Sequence, residues 1–78
     1  MSFAILEIVQ HLEEHQSEWS NHQTWQDQIE DASVLVRQAN AVADDAPLHA
    51  VRAKLIEASA RLIDAAQELG HCIEMGEV

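Results

Sequence analysis

Leucine recurs at seven-residue intervals, at Leu48, Leu55, Leu62 and Leu69, and midway between these positions fall Val51, Ala58, Ala65 and Cys72. Alternating steps of three and four put one apolar residue per turn on one side of a helix, so residues 48–72 predict a helix with a continuous apolar seam. No segment shows the two-residue alternation of a strand, and the expected fold class is all-α.

A leucine repeat can join two chains as a parallel zipper, or it can be the core-facing side of one helix in a small bundle. Two features favour the second reading. Ile56 and Ile63 widen the stripe beyond a two-position seam, as suits a helix with more than one neighbour. The preceding segment carries a matching seam, Trp25, Ile29, Ala32, Val36, Ala39, Ala43 and Ala46. The join at Asp44-Asp45-Ala46-Pro47 has room only for an antiparallel turn. The expectation is therefore an antiparallel helical hairpin of residues 24–45 and 46–70, with Leu55, Leu62, Val36 and Ala39 inside. The charged row Lys54, Glu57, Arg61, Asp64 and Glu68 would face outward, spaced for helical ion pairs. Pro47 is tolerated in a first turn, and Gly70 suits the left-handed stop of the last helix. Residues 71–78 would then form a tail.

Before the hairpin, Ile5, Ile8, Leu12, His15 and Trp19 keep the same three-four spacing, with Phe3 and Val9 alongside, and Ser2 suits a cap. The polar run Ser20-Asn21-His22-Gln23-Thr24 interrupts the pattern. Either Ser20 with Gln23 or Thr24 with Asp27 offers a capping box for the next helix. An N-terminal helix plus the hairpin makes a three-helix bundle or half of a dimeric helical bundle, with residues 1–78 as one domain. Trp19 and Trp25 flank the polar run and are expected to bury against each other or against the hairpin end.

Seventy-eight residues bury a marginal core. Cys72 is the lone cysteine, so no disulfide framework assists, and a reduced, cytoplasmic setting is expected. Fourteen acidic against four basic residues leave a net charge of −10. Nucleic acid and anionic membrane both require clustered Lys and Arg, so neither is an expected partner; a basic protein is compatible. No apolar run approaches the length of a membrane span, and the N-terminal residues lack the basic region of a secretion signal.

Catalytic motifs are sparse. His11-Leu12-Glu13-Glu14-His15 spells the letters of the inverted zincin pattern, and histidines one turn apart can share a metal. If the first helix ran on, His11, His15, Glu18 and His22 would share a stripe. A third ligand and a substrate cleft are not evident, and His15 falls on the seam, where a core histidine is the commoner outcome. Ser17 stands where an E-E-x-x-E magnesium helix needs its third acid. There is no glycine-rich phosphate loop and no nucleophile-base pair. No catalytic, cofactor-binding or metal residue is assigned, and no cofactor is expected.

The expected function is a non-catalytic protein–protein interaction module, a small acidic helical bundle that binds another protein and forms a homodimer. Its candidate interface is Phe3, Ile5, Ile8, Val9, Leu12 and Trp19 of the first helix with Ile56 and Ile63 of the third. A second class is an inhibitor whose acidic surface imitates nucleic acid and occupies a DNA- or RNA-binding protein. A metal-dependent hydrolase is a remote third.

Overall fold

The computed structural model describes residues 3–76, which form three helices: α1 (Phe3–His22), α2 (Trp25–Ala41) and α3 (Leu48–Glu74). Among these residues there is no strand, and the fold is a three-helix bundle. The cap expected at Ser2 and the last two tail residues lie outside the described residues.

Local chemistry explains the breaks. Gln23 and Thr24 alone separate α1 from α2. Thr24 takes an extended conformation, its side chain accepts from the Asp27 amide, and the Asp27 carboxylate accepts from the Thr24 amide, closing the capping box. After α2, the amides of Asp45 and Ala46 both donate to the Val42 carbonyl, reversing the chain. Pro47 then takes the N-cap position, with the amides of Ala50 and Val51 donating to its carbonyl. The third helix therefore opens at Leu48, two or three residues later than expected.

Its far end corrects a second expectation. Gly70 does not stop α3; the helix continues to Glu74, and the left-handed residue is Gly76, at φ 79°. A glycine inside a helix costs about 1 kcal/mol relative to alanine. Past it, Cys72 is half-buried, one heptad beyond buried Ala65, so side-chain packing continues beyond the glycine.

The long helix is the spine. Glu7 pairs with Arg52 and Gln16 bonds Gln67, so α1 runs parallel to α3. Gln28 bonds Asp64, Asp31 pairs with Arg61, and Gln38 accepts from Lys54, so α2 runs antiparallel to it. Both helices are packed against α3, and neither is packed against the other. On α3 the residues that meet α1 and those that meet α2 lie roughly 130° apart, against about 60° in a closed triangular bundle. The result is elongated and thin, with extents of 45 × 27 × 20 Å. One side of α3 is left without a neighbour.

Candidate functional site

Burial on α3 splits the expected seam: its Ala58 and Ala65 are buried, whereas Leu48, Leu55 and Leu62 are open. Ala58, Ala60, Asp64 and Ala65 are the buried residues of this helix. Leu48 is 82% exposed, Leu55 46% and Leu62 47%, with Val36 of α2 similarly open. Of the four residues expected inside the hairpin, only Ala39 is buried. The charged row expected outside faces inward in part, because α3 must seat two helices and presents small residues to each. Ala60 meets Leu12 and Trp19 of α1, with Ile8 packed alongside. Ala58 and Ala65 share the face from which Lys54 and Arg61 reach α2. Short side chains let helix axes approach closely; a leucine at Ala60 would hold α1 away.

Polar groups are the price of that arrangement, and all of them are matched. Gln28 is fully buried and donates to the Asp64 carboxylate at 2.8 Å. Arg61 donates through one terminal nitrogen to Gln28 at 2.7 Å, Gln23 at 3.0 Å and Asp31 at 3.1 Å, and through Nε to Glu57 at 3.2 Å. Its guanidinium carbon lies 4.7 Å from the Trp19 ring centre. This one side chain thus ties α2, the α1–α2 connection and the Trp19 ring to α3, although α1 and α2 do not pack together. No buried side-chain nitrogen or oxygen among the described residues lacks a partner.

The α1 histidines form a ladder with that tryptophan. The His11 and His15 rings lie 4.4 Å apart, and His15 stacks on Trp19 at 5.6 Å. No ring contact among the described residues joins Trp19 to Trp25, which is half-buried; the partners of Trp19 are the histidines and Arg61. The helix does run on to His22, and His15 Nδ1 lies 3.8 Å from Glu18. Among the described residues no three of His, Cys, Asp and Glu stand where they could hold one metal ion.

An open cleft of about 510 Å³ separates α1 from α3, lined by Glu7, His11, Glu14, His49, Arg52 and Glu57 among others. Two of its acids are engaged: Glu57 by Arg61, and Glu7 by Arg52, whose guanidinium holds the Glu7 carboxyl below the usual glutamate range. The cleft presents no nucleophile beside a base. A second hollow, about 380 Å³, runs between α2 and α3 and is lined by Ala32, Ser33, Val36, Arg37 and Leu62.

The expected interface residues divide three ways. Leu12 and Trp19 are buried within the chain's own core and are unavailable to a partner. Ile8 packs against that core, and Ile56 is half-buried in the wall of the α1–α3 cleft. Phe3, Ile5, Val9 and Ile63 are exposed. The larger apolar surface was not among the expected residues: Leu48, Leu55, Leu62 and Ile73 along α3, continued on α2 by Ile29 and Val36. The signal for it was the heptad leucine repeat itself, read as a zipper.

No family model, no curated protein and no solved structure matches this chain.

Proposed function

We propose that this protein is a non-catalytic interaction module that binds another protein through exposed apolar helix surface, in a reduced, cytoplasmic setting. One observation carries the reading. On a chain with net charge −10, the outward side of α3 carries exposed Leu48, Leu55, Leu62 and Ile73 around Ser59 and Ala66, and its one charged residue, Arg52, is paired with Glu7. Contiguous apolar surface of this kind marks a docking site in small proteins. Among the described residues no helix is long and apolar enough to cross a membrane, so the stripe is not a span.

Nucleic-acid mimicry draws less support. Asp31, Glu57 and Asp64 turn toward Arg61 and Gln28 instead of forming an outward row of carboxylates. Capture of partners on immobilised protein at low salt and at about 0.5 M salt tests the choice, because exposed charge contacts are strongly screened at the higher value. An apolar partner stays bound at high salt and is lost when Leu55 and Leu62 are both changed to Asp. Partners that are all basic, and all released by salt, would favour mimicry instead.

A further inference from the structure

The exposed side of the α2–α3 pair has a symmetry of its own. On α2, Ser33 has Ile29 four residues before it and Val36 three residues after. On α3, Ser59 has Leu55 four residues before it and Leu62 three residues after. The bonds Gln28–Asp64, Asp31–Arg61 and Gln38–Lys54 set a register that puts Ser33 level with Ser59. Two antiparallel helices thus carry the same small residue at one level, with large apolar residues about equally far on either side.

We infer that this face binds a second copy of the chain, α2 on α2 and α3 on α3, each antiparallel, about a twofold axis crossing both helices over Ser33 and Ser59. The inference rests on the reading of the protein as an interaction module and specifies its partner. A half-turn about that axis sets Leu55 against Leu62 of the second copy, and Ile29 against Val36. The two serines meet their own equivalents, where small side chains let the helices approach. Each residue of a twofold interface must find its own surface complementary, and this spacing meets that condition. The hollow bordered by Ser33, Val36 and Leu62 would receive an apolar side chain of the second copy.

Charge favours the same occupant. Glu30 and Arg37 lie on one rim of α2, two turns apart and nearly centred on Ser33. Both are exposed, and neither side chain makes a hydrogen bond or ion pair among the described residues. The other three basic residues are all engaged: Arg52 by Glu7, Lys54 by Gln38, and Arg61 in its cluster. The half-turn carries Glu30 onto Arg37 of the second copy and Arg37 onto its Glu30. A surface of net charge −10 meets itself here on a face whose one acid is opposed by a base. The first helix lies outside this contact, so Phe3, Ile5 and Val9 are not part of it.

Sedimentation equilibrium of the full chain at low and moderate salt tests the proposal. Dimers should form and strengthen with salt, as screening reduces the repulsion between acidic chains. Glu30→Arg and Arg37→Glu should each weaken the dimer about tenfold, because each turns two attractive pairs into two repulsive ones. The double variant Glu30→Arg, Arg37→Glu should recover most of the loss, which a merely local effect on α2 would not do. Leu62→Arg should weaken it about a hundredfold or more while the circular dichroism stays helical. In a Cys72→Ser background, Ser33→Cys should oxidise readily to a covalent dimer and Ile5→Cys should not. A dimer indifferent to both charge reversals, with no cross-link through Ser33→Cys, overturns the proposal and leaves the module reading standing. A monomer under all conditions also overturns it, and partner capture then judges the module reading separately.

Discussion

The two sides of α3 invert the usual division of labour in a small helix bundle. The inward side, toward α1 and α2, carries Ala58, Ala60 and Ala65 with Asp64, and Arg61 reaches from it to Gln28. The outward side carries Leu48, Leu55 and Leu62. Large apolar groups drive burial most strongly, so a helix that buries alanines and leaves leucines half-open holds its own chain together through close backbone approach and matched polar groups. Its remaining hydrophobic surface stays available for association. Inside, each group has one geometry; outside, a partner can choose.

The sharpest way to break this comparison is to remove Arg61. Arg61→Ala removes a hydrogen-bond donor from fully buried Gln28, the ion-pair partner of the part-exposed Asp31 and Glu57, and the packing on Trp19, and should cost about 2 to 3 kcal/mol in urea unfolding. A loss below about 0.5 kcal/mol would mean that the cluster is ornament on an ordinary core.

Next comes Ala60→Leu, which places a large residue where the helix now has no exposed area and touches Leu12 and Trp19. Overpacking should cost about 2 kcal/mol and lower the melting temperature. Adding the same side chain at exposed Ala66 should be nearly neutral, so the pair of variants measures how different the two sides are.

Leu62→Asp probes the outward side directly. The variant should keep its helical circular dichroism and lose self-association, because the side chain is half-exposed and its carboxylate remains hydrated. Unfolding of this variant at every concentration would place the leucine in the core and overturn the comparison.

The smallest effect concerns the end of α1. Glu7 is exposed and its carboxyl is held below the ordinary value by the hydrogen bond and charge of Arg52. A lowered folded-state pKa contributes stability that is present above the unfolded value and is lost as pH falls through the folded one. Acidification below about pH 4 should therefore loosen the first turns of α1 in hydrogen exchange, and Glu7→Gln should remove that pH dependence.

Much of the chain was legible before any coordinates. Three-four spacing identified three helical segments, and of the two capping boxes open at the start of α2, Ser20 with Gln23 or Thr24 with Asp27, the second forms. Those signals are local: a helix period and a cap act over a few neighbouring residues. Gly70 misled for the same reason, since a glycine stops a helix only when no tertiary packing continues beyond it.

Which way α3 turns was a different kind of question. The sequence by itself determined that the chain is all-α, that its second and third helices run antiparallel, and that the third carries a seam of leucines alternating with Val51, Ala58, Ala65 and Cys72 opposite a charged row. Both sides have helical period, and hydrophobicity alone assigns the leucines to the interior. Only the tertiary structure decided otherwise. Two helices sit on α3 about a third of a turn apart, their axes approach over Ala58, Ala60 and Ala65, and Gln28, Arg61 and Asp64 satisfy one another between them. That outcome depends on side chains more than thirty residues apart meeting with their hydrogen-bonding groups aligned, and no window of local sequence contains it.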